Sequence, residues 1–554
     1  MKSSGIIHSD EKLSNRAKRR GTSQNSKALI IKHLHFRLLS KNFRKIAMYR
    51  LNSLNADIQL IVDGAWANNF GIFVGFPRKH FGIFVGFYQK HLRNPGQSTT
   101  FACVIKLQQL MMERIFKRKL YDRLLEWKRV QNGKTAILIE GARRVGKSTL
   151  VEQFAKNEYE SYILIDFNEA SDEVKSLFNN LMNKDFIFLQ LQAFYNVMLK
   201  ERKSVIIFDE VQKCPLARQA IKYLVKDGRY DYIETGSLIS IKKNTKNITI
   251  PSEEERVTLY PMDYEEFRWA LGDEATVPLL RTFYERRLPL DRAHRDKMRD
   301  FRLYMLVGGM PQAVKVYIET NNFSMVDQAK RGIIKVYQDD FQKLDETGRL
   351  ETLFMEIPSQ LSQTSNRYKP YAVLGQVDDD KLLELLKDLE DSKTALFSYH
   401  SNEPNVGMSL TKDISKFKIF CADTGLFVTL AFWDRDHTEN VIYQKLLNDK
   451  LGTNLGYVYE NMIAQMLTAS GNKLFYYSWP KDQTHNYKID FLLSRGAKLH
   501  PIEVKSSGYK SHKSLDVFCQ KYSHVAGQRY LIYTKDLKKD EETLLLPVYM
   551  TPFL

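Results

Sequence analysis

Hydrophobic and polar positions between residues 134 and 261 follow a plan of short apolar runs separated by helical spacings. Five apolar runs are predicted as strands: residues 135–140, 162–167, 205–208, 232–235 and 257–260. The stretches between them place apolar residues three and four apart, as in the helix predicted at residues 149–156. This alternation is typical of a parallel sheet covered by helices on both faces. The pattern therefore predicts an α/β fold for this part of the chain.

The patterns on either side of this unit are different. An amphipathic helix is predicted just after Met111, and the pattern after Pro261 is helical up to about Leu344. A helix near 382–389 and strands near 395–399 and 417–421 follow, and a helix at 456–470 opens a last stretch of three strands, a helix and a strand. A chain of 554 residues is long enough for three or four domains. The predicted divisions are residues 111–261, 262–344, 345–440 and 441–554.

Residues 1–110 show no pattern that would build a core. They contain an apolar tandem repeat, residues 71–81 and 82–92, and two copies are too few for a repeat fold. They also hold 18 Lys and Arg against 4 Asp and Glu, so most of the formal net charge of +18 lies here. The charge is therefore no sign that the folded body binds nucleic acid. The prediction is a basic, poorly ordered extension, and the alternative is a basic arm for nucleic acid or an acidic surface.

Composition narrows the class of protein further. The chain is 43% hydrophobic and 27% charged, as in soluble globular proteins. No apolar run reaches the ~18–20 residues of a membrane span, and the start lacks the apolar segment of a secretory signal. The four cysteines lie far apart without CxxC spacing, which argues against a zinc module or a disulfide framework. We expect a cytoplasmic protein with no membrane partner.

A phosphate-binding motif follows the first predicted strand. Residues 141–148 read Gly-Ala-Arg-Arg-Val-Gly-Lys-Ser and match G-x-x-x-x-G-K-[ST]. Glycines let backbone N–H groups wrap a β-phosphate, while Lys147 reaches the β and γ oxygens and the Ser148 hydroxyl binds Mg²⁺. The nucleotide contacts are predicted from Gly141, Ala142, Arg143, Arg144, Val145, Gly146, Lys147, Ser148 and Thr149. The expected cofactors are ATP and Mg²⁺.

Acidic and hydroxyl side chains follow two later strands. Asp209 and Glu210 come directly after the apolar run 205–208. Asp209 is expected to bind the Mg²⁺ shell, and Glu210 to polarise the attacking water as a general base. Thr235 and Ser237 follow the next strand, where a hydroxyl could sense the γ-phosphate or simply end the strand.

A second set of carboxylates lies near the C-terminus. Glu460 falls on a predicted helix, Asp490 ends a strand, and Glu503 and Lys505 lie two apart on the next strand. Residues two apart share one face of a strand. This spacing resembles the PD-(D/E)XK nuclease pattern, in which Asp490 and Glu503 would hold a divalent metal and Lys505 would orient water. The alternative is a simple ion pair on a solvated strand.

These and other motifs resemble a family of AAA-type ATPases with a C-terminal uncharacterised domain, widespread in bacteria and archaea. The matching segments are residues 141–149, 208–212, 234–237, 259–267, 307–312, 420–426 and 456–461. The resemblance covers about residues 111–554. It implies an AAA-like core, a helical lid, a winged-helix-like domain at 345–440 and a nuclease-like domain at 441–554. Where the family usually has Gly-Arg, this chain has Glu255-Arg256, which leaves Arg256 as an arginine-sensor candidate.

Three functional hypotheses follow. The first is an ATPase that hydrolyses ATP with Mg²⁺ to drive a DNA-facing C-terminal module. The second is a nucleotide-gated switch that binds DNA or a protein and has an inactive nuclease-like domain. The third is a metal-dependent nuclease regulated by ATP. A protein partner or a homo-oligomer is compatible with each of them.

Overall fold

The computed structural model describes residues 114–236, 251–363, 367–435, 438, 440–448, 456–506 and 512–554. All of them belong to one compact unit, Glu113–Leu554. The extension predicted at residues 1–110, and Ser237, lie outside the described residues.

Strands and helices alternate in the first part of this unit, as the sequence predicts. The strands are β1 (Ala136–Glu140), β2 (Ser161–Asp166), β3 (Ser204–Asp209), β4 (Asp231–Gly236) and β5 (Glu254–Thr258). The helices are α1 (Leu120–Gln131), α2 (Lys147–Glu158), α3 (Asp172–Ser176), α4 (Lys184–Tyr195) and α5 (Pro215–Asp227). The strands form one sheet in the order β2-β3-β4-β1-β5, and every pair is parallel.

The two faces of this sheet carry separate hydrophobic cores. One core joins Leu138, Ile206 and Phe208 to helices α3, α4 and α5. The other joins Ile137 and Ile139 to helices α1 and α2. Successive strand residues point to opposite faces, so a strand covered on both sides reads as a continuous apolar run. The predicted parallel sheet with helices on both faces is confirmed.

Strand β5 begins three residues before its predicted start and is the least apolar of the five. Its first residue, Glu254, receives two hydrogen bonds from the Arg218 guanidinium of helix α5, at 3.0 and 3.1 Å. Both side chains are 1% exposed. Because the ion pair neutralises both charges, the Glu254 side chain can be buried although β5 as a whole is only partly buried. A strand that begins with charged residues cannot be predicted from hydropathy alone.

Helices dominate the middle of the chain. The segment predicted as a helical lid contains α6 (Tyr264–Ala270), α7 (Thr276–Arg286), α8 (His294–Val307), α9 (Pro311–Thr320) and α10 (Phe323–Leu344). Four more helices follow: α11 (Arg349–Met355), α12 (Ile357–Ser362), α13 (Pro370–Leu374) and α14 (Asp379–Asp391). Strands β6 (Ala395–Ser401) and β7 (Lys412–Cys421) then form an antiparallel hairpin. Helices followed by a hairpin are compatible with a winged helix, which stays a prediction.

The hairpin belongs to a larger sheet that extends to the C-terminus. Helices α15 (Thr424–Ala431), α16 (Asn440–Leu447) and α17 (Gly456–Ala469) lead into it. The later elements are β8 (Phe475–Pro480), β9 (Asn486–Arg495), β10 (Lys498–Val504), α18 (Lys513–Lys521), β11 (Arg529–Tyr533), β12 (Lys538–Asp540) and β13 (Thr543–Pro547). Their sheet has the order β12-β13-β11-β10-β9-β8-β6-β7, and β6 pairs with β8 in parallel. The predicted division between residues 440 and 441 thus runs through a single sheet.

Candidate nucleotide-binding site

The loop between β1 and α2 has the backbone that a phosphate-binding loop requires. Gly141 has φ +156° and Gly146 has φ +97°, and Arg144 is also left-handed at +66°. A Cβ at Gly141 would overlap the carbonyl oxygen of Leu259, so only glycine fits there. Helix α2 starts directly after Gly146. Its free N–H groups and its dipole therefore point toward the loop.

Lys147 and Ser148 open helix α2 and face the acidic end of β3. The ammonium of Lys147 is buried and donates to the carbonyl oxygens of Gly141 and Ala142, at 3.0 and 3.1 Å. Burial lowers the pKa of Lys147, and the nearby carboxylates of Glu210 and Asp209 oppose that effect. The Ser148 hydroxyl donates to Asp209 Oδ1 at 2.9 Å. Of the predicted contacts in this loop, Arg143, Arg144 and Thr149 are exposed.

Asp209 and Glu210 are linked to the end of strand β4. The Thr235 hydroxyl donates to Asp209 Oδ1 and accepts a hydrogen bond from the Glu210 N–H at 3.3 Å. Glu210 has a left-handed backbone with φ +53° and is half-buried. The Gln212 amide donates to the Glu210 carboxylate. Thr235 thus lies beside the two acids, and its role in sensing the γ-phosphate stays a prediction. Gln212 belongs to the segment 208–212 of the family resemblance, but its contact with Glu210 was not predicted.

Residues far away in the sequence brace this loop. The Arg118 guanidinium donates to the carbonyl oxygens of Val145 and Tyr260, at 2.9 and 2.6 Å, and pairs with Glu266 at 3.2 Å. Both members of that ion pair are buried. A buried guanidinium that binds a carboxylate and two carbonyl groups holds three segments in one geometry.

Helix α10 of the lid holds the other side of the loop. The Arg143 guanidinium pairs with Asp340 at 2.7 Å, and the Tyr337 hydroxyl donates to the Arg143 carbonyl oxygen at 3.1 Å. Arg143, predicted among the nucleotide contacts, therefore has its side chain on the lid. Arg256 pairs with Glu254 on its own strand at 2.8 Å and lies 4.0 Å from Glu140. Its role as an arginine sensor stays a prediction.

The C-terminal carboxylates are close together, and each contacts a lysine. Asp490 pairs with Lys488 at 2.7 Å, Glu460 with Lys418 at 2.7 Å, and Glu503 with Lys505 at 2.6 Å. Lys418 also lies 3.8 Å from Asp490, and Lys488 lies 3.7 Å from Glu460. Asp490 and Glu503 lie on the adjacent antiparallel strands β9 and β10, and Asp490 accepts the Val504 N–H at 2.9 Å. Asp490 lies in the middle of β9 and not at its end as predicted, and Lys505 follows the last residue of β10.

The charges of this cluster balance. Burial opposes ionisation of Asp490, but Lys488 and Lys418 outweigh burial and hold the pKa of Asp490 below its usual value. Burial raises the pKa of Glu503, and Lys505 opposes that rise. In the part of the chain that the structure describes, no group of three or more His, Cys, Asp or Glu side chains could hold a metal ion. Lys418 was missed because it lies on β7, outside the motif, and Lys488, two residues before Asp490 on β9, was missed because the motif does not include it.

Three of the segments that carried the family resemblance are connected by hydrogen bonds between the ATPase sheet and the C-terminal part. They are residues 259–267, 307–312 and 420–426. The Gly309 N–H donates to Asp423 at 2.5 Å, and the Gly309 carbonyl oxygen accepts from the Met262 N–H at 2.7 Å. Leu259 in turn donates to the carbonyl oxygen of Glu140, directly before the phosphate-binding loop, at 2.7 Å. A continuous set of buried hydrogen bonds therefore runs from that loop to Asp423.

Helix α17 forms the hydrogen bonds at the C-terminal end of this set, next to Asp423. The Asn461 amide accepts from the Cys421 N–H at 2.8 Å and donates to its carbonyl oxygen at 3.1 Å. Gln465 accepts from both the N–H and the hydroxyl of Thr424, at 2.8 Å each. Its amide also donates to the Tyr304 hydroxyl at 3.1 Å. The three motifs therefore form one polar interface in the folded unit.

Gly309→Ala is expected to destabilise the protein by about 1–3 kcal/mol, because the added Cβ would overlap the backbone of Met262. The matched control is Gly332→Ala within helix α10, where a Cβ meets nothing within 4 Å. That control is expected to stabilise by about 0.4–1 kcal/mol. Denaturant unfolding measures both variants. A Gly309→Ala protein as stable as the parent would show that this backbone contact is not tight.

A parallel sheet, a glycine loop that opens a helix, and an acid hydrogen-bonded to the first helical serine define a P-loop NTPase. Comparison with protein families shows which type of P-loop NTPase domain this is. Residues 133–268 match the family described as AAA domain. Residues 298–437 and 455–550 match two domains of unknown function, DUF8612 and DUF4143. The chain carries an AAA-type ATPase domain, which binds ATP.

Solved structures are similar only remotely. A Walker-type ATPase of Pyrococcus abyssi is 18% identical, with 57% of this chain and 96% of that chain covered and a TM-score of 0.34. The Thermotoga maritima RuvB Holliday junction branch migration motor is 13% identical, with 50% and 87% covered and a TM-score of 0.24. Scores this low do not establish a common overall fold. No curated protein matches the chain. Among the described residues, no helix has the length and apolar character needed to cross a membrane.

Proposed function

We propose that this protein hydrolyses ATP with Mg²⁺ and uses the cycle to move its C-terminal part. The observation that carries the proposal is the 2.9 Å hydrogen bond between the Ser148 hydroxyl and Asp209, at the first turn of the P-loop helix. A hydroxyl and a carboxylate are the oxygen ligands that Mg²⁺ takes in P-loop ATPases. When bound, Mg²⁺ would neutralise charge on the β and γ phosphates.

The residues around this pair suit the remaining tasks of hydrolysis. Lys147 lies on the loop carbonyl groups and can transfer its hydrogen bonds to phosphate oxygens. Glu210 is the candidate base for the attacking water. Thr235 and Gln212 fix the backbone and the carboxylate of Glu210, respectively. We assign both the role of positioning residues.

Two contacts support transmission to the rest of the chain. Arg143 is part of the phosphate-binding loop and also pairs with Asp340 on the lid, so a change in the loop changes a lid contact. Gly309 and Asp423 then connect the lid to the C-terminal sheet through buried hydrogen bonds. We propose that nucleotide state biases this set of contacts, and that the moved C-terminal module faces DNA.

For the C-terminal carboxylates we propose a structural ion-pair cluster in place of a nuclease centre. Three lysines neutralise three carboxylates, and the Lys488 and Lys418 ammonium groups lie where a cation would bind Asp490. The nuclease-like fold of this domain stays a proposal, whereas the metal site predicted at Asp490 and Glu503 is replaced by this ion-pair cluster in our proposal. This reading favours the hypothesis in which the nuclease-like domain is inactive.

Asp490→Asn is expected to destabilise the whole chain by on the order of 1–3 kcal/mol, because Lys488 loses its charged partner. The thermal shift caused by Mg²⁺ or Mn²⁺ is expected to be the same in this variant and in the parent. The comparison uses the full chain, because strand β8 pairs with β6 across the predicted division. A metal-dependent shift that occurs in the parent and disappears in Asp490→Asn would restore the metal site.

The experiment that tests the proposed function is ATP turnover measured alone and with single- or double-stranded DNA. Turnover stimulated by DNA supports an ATPase with a DNA-facing module. The second candidate is a nucleotide-gated switch with an inactive nuclease-like domain, which the pairing of each C-terminal carboxylate with a lysine favours. Tight ATP binding without turnover under any of these conditions would select the switch. Metal-dependent nicking of DNA would select the regulated nuclease.

A further inference from the structure

Helix α4 exposes an apolar face on the outside of the ATPase sheet. Residues 186–199 contain no Asp, Glu, Lys or Arg, in a chain that is 27% charged. The inward side chains Ile187, Phe188 and Leu191 are buried in the core that includes Phe208. The helix and its flanks also expose large apolar side chains: Met182 at 91%, Phe186 at 53%, Leu189 at 64%, Phe194 at 50% and Met198 at 78%.

Three exposed positions of the helix form one outward stripe. Phe186, Leu189 and Ala193 are separated by three and four residues, the repeat of a single helix face. Met182 lies just before α4 and Met198 just after it, so these two side chains flank the stripe. A helix that is apolar on both faces is normally covered on both. Strand β2, beside which α4 packs, is the outer strand of its sheet. The outward stripe of α4 therefore lies at an edge of the domain, where another molecule can reach it.

The charged residues at both ends of the stripe already have partners within the chain. Asp185 pairs with Arg229 at 2.6 Å, and Lys200 pairs with Glu160 at 2.8 Å. Each end also carries one residue of each sign, Lys184 with Asp185 and Lys200 with Glu201. Two such helices packed antiparallel would bring together ends that are each neutral. This surface therefore suits a partner with an apolar surface. It has no excess of either charge that would attract an acidic or a basic partner.

We propose that this face is an isologous interface with a second copy of the chain, in which two α4 helices pack antiparallel about a two-fold axis. An identical patch on each copy is self-complementary when both patches are apolar. The exposed parts of the five large side chains amount to roughly 600 Å² per copy, taking about 200 Å² for each full side chain. Two copies would bury about 1,200 Å², the lower end of the range for specific protein interfaces.

The test is the mass of the full chain by sedimentation equilibrium over a range of concentrations. The parent is expected to dimerise, and Leu189→Glu at the middle of the stripe is expected to raise the dimer dissociation constant at least about 100-fold, because two buried charges are introduced. The matched control is Leu279→Glu on helix α7, which replaces a leucine that is 53% exposed. That control is expected to leave dimerisation unchanged.

A second variant keeps the test valid if Leu189→Glu fails to fold. Leu189→Cys retains a small apolar side chain, and near the two-fold axis it is expected to give a disulfide-linked dimer on oxidation that the parent does not give. A parent that is monomeric at every concentration would overturn the proposal, as would a dimer that Leu189→Glu leaves intact. Binding of a monomeric parent to phosphatidylcholine vesicles, lost in Leu189→Glu, would also overturn it and assign the stripe to a lipid surface.

Discussion

Lys147→Ala is expected to remove productive ATP binding while the protein stays folded. The Lys147 ammonium donates to the carbonyl oxygens of Gly141 and Ala142, and burial lowers its pKa. Because these two contacts lie within the loop itself, we expect the fold to survive their loss. The phosphates, in contrast, lose a fixed cation. Loss of one preorganised charge-stabilising group typically costs about 10²–10³-fold in turnover, and we expect at least this much.

Titration calorimetry with ATP and a steady-state turnover assay measure the two effects. Lys156→Ala on the same helix is the matched control, because Lys156 is 53% exposed and forms a surface ion pair with Glu152 one turn away. We expect that variant to bind and turn over ATP like the parent. Unchanged ATP affinity in Lys147→Ala would show that the glycine loop is not the nucleotide site.

Glu210→Gln is expected to trap the protein with ATP bound. The amide keeps the size of the side chain but cannot accept a proton from water, so hydrolysis should slow by about 10²–10⁴-fold while affinity is retained. Single-turnover hydrolysis separates this loss from slow product release. The companion variant Asp209→Asn should instead weaken the dependence of turnover on Mg²⁺, because Asp209 contacts the Ser148 hydroxyl.

The same pair of variants checks the assignment of roles. If Asp209→Asn preserved the Mg²⁺ dependence and Glu210→Gln abolished it, the two acids would have to exchange roles. Gln212→Ala serves as a positioning control. It should reduce turnover less than Glu210→Gln and leave ATP affinity unchanged, because the amide positions the Glu210 carboxylate without replacing it as the base.

The nucleotide site was predictable because its chemistry is local. A phosphate needs contiguous backbone N–H groups, so residues 141–148 reveal it by sequence alone. The acids after β3 were predictable for a similar reason, since the ends of neighbouring parallel strands meet at one edge of a sheet. Strands β1 and β3 were also predictable, because burial on both faces makes each a nearly continuous apolar run. The predicted start of strand β5 was three residues too late, because the charged residue Glu254 does not look buried in the sequence although its ion pair with Arg218 allows its side chain to be buried.

The side-chain contacts that hold the phosphate-binding loop in place were not predictable, because each joins two residues that are distant in the sequence. Arg118 lies 27 residues from Val145, and Arg143 lies 197 residues from Asp340. An exposed-looking arginine before a helix gives no sign that it will be buried between three segments. Lys418 was missed for the same reason, as it lies 42 residues before Glu460. Periodicity encodes elements, whereas such contacts exist only after the elements have packed.

Arg118 also has a consequence for how this ATPase can be divided. The matched AAA domain spans residues 133–268, but Arg118 lies before it and Asp340 lies after it. A fragment cut to the limits of that domain would contain every glycine of the loop and both acids, yet it would lack the two side chains that hold the loop from either side. In this fragment, ATP itself would have to order the phosphate-binding loop. The apparent affinity of the fragment for ATP would therefore be reduced in proportion to the fraction of molecules whose loop is in the binding-competent conformation. The smallest autonomous nucleotide-binding module of this protein is therefore longer than the domain by which it is recognised.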